Sequence, residues 1–132
     1  MTTSLQCILY VSDLAGEVNV HGITQVFQSA RQFATNNGIS GVLIFDGIRF
    51  CEYLEGSADR LGVIWTHIQR DARHTNLQVL HEEPVLAQRR MAHWSVAYAM
   101  RSEPSVVQRM AQLRGLPAVE HLQASLPELD MV

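Results

Sequence analysis

The stretch Asn36–Gly56, NNGISGVLIFDGIRFCEYLEG, constrains the fold of this chain more than any other. Two strand-like apolar runs, Gly41–Phe45 and Phe50–Leu54, flank Asp46-Gly47. Asp-Gly between two hydrophobic runs signals a β-hairpin, because both residues tolerate the backbone angles of a tight turn. Asn36-Asn37-Gly38 ahead of the hairpin is a helix stop. Glu55-Gly56-Ser57 behind it opens a second helix, with Ser57 as N-cap. The hairpin therefore sits between two helices. It carries the least expected side chain of the chain, Glu52, a carboxylate in the middle of an apolar strand.

The other segments fall into place around it. Leu5–Val11 (LQCILYV) reads as a buried strand, and Ser12–His21 as a polar loop. Ile23, Val26, Phe27, Ala30 and Phe33 fall at helical spacing and predict a first helix over Gly22–Asn36. Leu61, Ile64, Trp65 and Ile68 predict a second over Ala58–Asp71. Gln78–His81 and Ala92–Tyr98 are a fourth and fifth strand. Ser105–Arg114 is an amphipathic tail helix, Gly115-Leu116-Pro117 breaks it, and a short last helix follows around Val119–Ser125.

The order βαββαββ is the ferredoxin-like, split βαβ plan of the α+β class. It predicts a five-stranded mixed sheet, with the first and third strands as central parallel neighbours. Two helices cover one face. Both faces of the central strands are apolar, so the tail helix covers the other. Residues 1–100 make one domain, and 101–132 a helical extension packed on its sheet. The tail presents Val106, Val107, Met110 and Leu113, followed by Leu116, Val119 and Leu122, more apolar surface than one sheet face uses. The surplus predicts a homodimer or higher homo-oligomer joined through sheet and tail.

Composition removes several function classes. A net charge of −3 without a basic run argues against nucleic acid as the partner. No apolar stretch is long enough for a bilayer, and no basic-then-apolar leader is visible, which predicts a cytoplasmic protein away from membranes. Cys7 and Cys51, the only cysteines, read as buried thiols in a reducing compartment. Six histidines without HxxxH or HExxH spacing give no metal site. Ser12 with His74 lacks a nucleophile elbow and a third partner, so no enzyme activity is expected.

Taken alone, Tyr10 in an apolar strand reads as a core tyrosine with a satisfied hydroxyl. His67 and His74 read as capping or surface histidines, and Trp65 and Trp94 as core or interface residues. Glu52 has three readings: solvent-facing on a sheet edge, paired with His67 or an arginine, or buried beside Tyr10. Burial would raise its pKa and favour the neutral acid, which donates one hydrogen bond where a carboxylate only accepts.

ILYVS (Ile8–Ser12), GISGVLIFDGIRF (Gly38–Phe50), LEG (Leu54–Gly56), DARH (Asp71–His74) and HWSVAY (His93–Tyr98) lie in register with a known family. The chain resembles the BLUF family, bacterial blue-light sensors that use FAD, over about Leu5–Met100. The resemblance implies a ferredoxin-like fold with the flavin ring between the two helices. It implies Tyr10 as the light-active tyrosine, and Val26 and Ile68 as the aliphatic residues that sandwich the ring. Asp71 and His74 match the end of helix two, and Trp94 the tryptophan of strand five. Glu52 stands where the resemblance implies a glutamine between tyrosine and flavin, Ala34 where it implies an asparagine, and His67 where it implies a basic residue. Val96 replaces a common methionine. Two functions follow from this pattern. One is an FAD photoreceptor that signals to an unidentified downstream protein through rearranged hydrogen bonds. The other is a flavin-poor interaction module.

Overall fold

A computed structural model of the chain describes residues 4–16, 19–99 and 104–131. The boundary expected between residues 100 and 101 lies outside them, as do positions 17 and 18 of the polar loop. The elements are β1 (Leu5–Leu14), α1 (Val20–Asn36), β2 (Ser40–Phe45), β3 (Arg49–Ser57), α2 (Ala58–Arg70), β4 (His74–Leu86), β5 (Trp94–Tyr98), α3 (Val106–Met110), α4 (Leu116–Ser125) and β6 (Asp130–Met131). They build one mixed sheet in the order β4-β1-β3-β2-β5-β6. The sheet has six strands rather than the expected five, because β6 adds two residues beside Ala97 and Tyr98.

β1 and β3 are central neighbours, but they run antiparallel, with Tyr10 opposite Glu52. The parallel orientation expected from sequence is thus corrected. A helical crossover makes β1 and β2 point the same way, and the hairpin then reverses β3 against both. β2 and β5 form the parallel pair.

The hairpin closes as its residues dictate. Phe45 lies opposite Phe50. The Asp46 carboxylate accepts from the backbone N–H groups of Ile48 and Arg49 at 2.9 and 2.6 Å. Gly47 has φ 99°, where a side chain would be strained. Helix α1 begins two residues earlier than its apolar stripe suggests, because the Asn19 side chain caps it by accepting from the Gly22 N–H.

Strand alternation separates two cores. Ile8, Tyr10, Leu43, Phe45, Phe50 and Leu54 face Phe27, Ala34, Leu61 and Ile64 of α1 and α2. Cys7, Leu9, Val11, Val42, Ile44, Cys51 and Tyr53 face Val106, Val107 and Met110 of α3, and Ala118, Val119 and Leu122 of α4. Two helices therefore cover one face and the tail the other, as the pattern predicts. The expected apolar surplus of the tail is mostly absent. The tail folds back as two helices, so Val119 and Leu122 are buried with α3, and Leu116 is the member of that set left exposed. No helix among the described residues is long and apolar enough to cross a membrane.

Candidate functional site

A cleft of about 380 Å³ opens between α1 and α2 above the sheet. Tyr10 of β1, Leu43 of β2, and Phe50 and Glu52 of β3 form its floor. Val26, Ser29, Ala30 and Phe33 line one wall, and Ile64, His67, Ile68 and Arg70 the other. Asp71, Arg73 and His74 close the end beyond α2.

Glu52 is buried at the floor, which removes the solvent-facing reading. Its Oε1 accepts from the Tyr10 hydroxyl at 2.6 Å, and its Oε2 from the Trp94 indole N–H at 3.0 Å. No ion pair reaches it among the described residues, so the pairing with His67 or an arginine is not formed. Burial pushes the Glu52 carboxyl up to about 7, and the two donors only partly oppose that rise. Burial and the neighbouring Glu52 also hold the Tyr10 phenol well above its ordinary value. Tyr10 packs edge-on against Trp65, 5.5 Å between ring centres.

The other predicted residues divide by position. Val26 and Ile68 face the cleft from opposing helices. His67 lines it too, tilted against Phe33 with ring centres 4.7 Å apart. His74 is fixed at both ring nitrogens. Its Nε2 lies 2.6 Å from the Ile68 carbonyl oxygen, which can only accept, so Nε2 carries a proton. In the neutral ring Nδ1 then accepts from the Ser12 hydroxyl at 2.8 Å. Asp71 grips Arg73 at 2.7 Å and 2.9 Å. Burial works to raise the Asp71 pKa, but the hydrogen bonds from Arg73 outweigh it and the net shift is downward. Ala34 is wholly buried under α1, which presents Phe33 to the cleft instead. Trp94 is outside the lining and reaches the site through Glu52.

Arg70 and Arg73 were not singled out from sequence, although Arg73 stands inside the DARH run. A second buried carboxylate was missed as well. Glu55, wholly buried on the tail-helix side, accepts from Ser40 Oγ and the Tyr53 hydroxyl, and from the backbone N–H groups of Arg90 and Met91. It pins the β4–β5 loop to the sheet, and two residues on Ser57 caps α2 by accepting from the Arg60 N–H, as the sequence predicts. Cys7, His81 and Glu83 bring metal-capable atoms within 4.8 Å of one another, from strands whose sequence spacing shows nothing of it. The Arg90 guanidinium lies among them, 2.7 Å from Glu83 Oε1 and 3.5 Å from Cys7 Sγ, a fixed cation at the place an ion would take.

Apolar walls from two helices, a polar floor and this volume suit a flat aromatic heterocycle. A family model described as sensors of blue-light using FAD (BLUF) matches residues 5–97. The chain belongs to the BLUF family. The dark-state structure of BlrB, a BLUF protein, is 26% identical and matches with a TM-score of 0.68, over 97% of this chain and 90% of that one. The BlsA ground state is 22% identical with a TM-score of 0.78, over 97% and 91%. The photoactivated adenylate cyclase subunit beta of Euglena longa is 23% identical over 97 residues, 74% of this chain. The chain spans 11% of that cyclase's length. The family is described as sensing blue light with FAD, and the match covers the strands and helices that build this cleft.

Proposed function

We propose that the chain is a blue-light photoreceptor domain that holds FAD in the α1–α2 cleft and signals to a partner protein by rearranging hydrogen bonds. The observation that carries this reading is the Tyr10–Glu52 hydrogen bond, 2.6 Å long and buried at the floor of an apolar-walled cleft. Val26 and Ile68 would flank the ring from opposite helices. His67, Arg70 and the Asp71–Arg73 pair would meet its polar parts, with Arg70 and Arg73 the charges suited to the phosphates of FAD. Bound there, the flavin supplies blue absorption and an electron acceptor. Tyr10 would be the electron donor, and its hydroxyl proton is held toward Glu52 Oε1, which accepts it at 2.6 Å. Glu52 also holds Trp94, so a change at the floor passes to β5. Output to a downstream protein and self-association belong to the same proposal.

The test is a visible absorption spectrum of the purified protein in the dark and after blue illumination, with parallel titrations of apo-protein by FAD and FMN. A flavin band, tighter binding of FAD and a reversible light-induced shift support the reading. Absence of flavin binding even at high FAD overturns it, and the interaction-module reading takes its place.

A further inference from the structure

The two oxygens of Glu52 are not equivalent. Oε2 is held by an indole N–H, which can only donate, so this oxygen stays an acceptor in either protonation state of the acid. Oε1 faces a phenol, which can both donate and accept. A proton arriving on Glu52 therefore settles on Oε1. The acid O–H then donates to the Tyr10 oxygen, and the Tyr10 hydroxyl hydrogen must turn to another acceptor. Tyr10 itself lines the cleft, and the cleft is where such an acceptor would sit.

We propose that Trp94 fixes the proton of Glu52 on the oxygen facing Tyr10, and that uptake of this one proton reverses the Tyr10–Glu52 hydrogen bond and makes the light response conditional on pH. This rests on the photoreceptor reading and names its regulation. One proton comes from water, no bond between heavy atoms changes and no electron moves. The neutral acid has one donor and one acceptor, as a side-chain amide offers in one plane. The carboxylate has acceptors only. The light response therefore belongs to the acid form, and burial places the titration near neutrality, at about 7.

The groups around Glu52 leave few competitors. β1 contributes Tyr10, β5 contributes Trp94, and β2 contributes Leu43, which does not titrate. The cleft residues of α1 carry no charge, and the charge α1 brings to this group is Arg31, over the Trp94 ring at 5.9 Å from its centre. α2 contributes His67 and Arg70. Beyond it, Asp71 and Arg73 pair with each other, and His74 is engaged by Ser12 and the Ile68 carbonyl.

The experiment combines two readouts on the full chain. In the FAD-loaded protein, the light-induced shift is measured from about pH 5.5 to about pH 8.5. Its amplitude should fall about tenfold per pH unit above the midpoint, and in Glu52→Gln it should not vary with pH. In the apo-protein, infrared spectroscopy with labelled tyrosine follows the carboxylic acid carbonyl band of Glu52 and the phenol C–O mode of Tyr10. Both should change at one pH, and Trp94→Phe should move that midpoint upward, because the carboxylate loses a donor. An equal light response at both ends of the range, or a pH dependence that survives in Glu52→Gln, overturns the proposal. So does a carbonyl band that titrates without any change at Tyr10. Failure of the photoreceptor reading looks different: no flavin band at any pH, while the infrared titration still reports where the proton sits.

Discussion

Replacing Glu52 by glutamine should stabilise the protein at neutral and alkaline pH, by an amount that the burial of this carboxyl sets. The Glu52 pKa rises from 4.5 to about 7 on folding. The folded state therefore binds more protons than the unfolded one between those values. Its contribution to stability is intact below pH 4.5, declines as pH rises toward 7, and is flat beyond. Each unit is worth about 1.4 kcal/mol, so the full span costs about 3 kcal/mol above neutrality. Glutamine keeps a carbonyl for one donor and an N–H for the other partner, without a charge to desolvate. Urea unfolding of both proteins between about pH 4 and pH 8 is the assay. The difference in unfolding free energy should be small at the acid end and grow to about 3 kcal/mol at pH 8. Asp71 and Glu83, both held below the usual carboxylate range, lose stability on acidification, but they are common to both proteins and cancel in the difference. A difference that stays flat with pH, or a variant less stable at pH 8, would refute the reasoning.

Tyr10→Phe should leave Glu52 Oε1 without its donor, cost about 1–3 kcal/mol in the same unfolding assay at pH 8, and abolish any light-induced spectral change. Glu55→Ala should strand the donors of Ser40, Tyr53, Arg90 and Met91. The loss should exceed about 3 kcal/mol, and hydrogen exchange at the Arg90 and Met91 amides should accelerate well before that of β1. His67→Arg should tighten FAD binding by about tenfold or more, since one charge-assisted hydrogen bond is worth about 1.5–3 kcal/mol. Fluorescence titration with FAD reads this directly, and unchanged affinity would remove His67 from the polar rim.

The hairpin, both packed faces and the helix pair were legible because their signals are local: Asp46-Gly47, alternation in β1 and β3, and the apolar stripes of α1 and α2. Strand β4 was not. It runs over His74–Leu86, whereas the sequence suggested Gln78–His81. As the outer strand it alternates poorly, carries His81-Glu82-Glu83-Pro84, and slips register against β1 at three places. The antiparallel sense of β1 and β3 was lost in the count of crossovers, not in any residue. At the site, Glu52 beside Tyr10 follows from the resemblance, and Val26, His67, Ile68, Asp71 and His74 do face or close one cleft. The Trp94 bond to Glu52 depends on the β2–β5 register, which no local pattern encodes. Ala34 and Phe33 differ by one step of helix rotation, too fine for an apolar stripe to resolve. Glu55 went unnoticed because its neighbours Gly56 and Ser57 carry turn chemistry.

The sheet order has a consequence for how the chain is made. β1 lies between β3 and β4, and it leaves the ribosome before either. Its Tyr10 waits 42 residues for Glu52, and β4 comes later still. Until then an apolar strand with two bare faces and two open edges is exposed, the kind of segment that associates with other nascent chains. α1 emerges next and can shield one face only. Expression yield should therefore depend on chaperone supply and slow synthesis more than the stability of the finished fold would suggest. The cleft is assembled late, so cofactor loading follows the completion of the sheet.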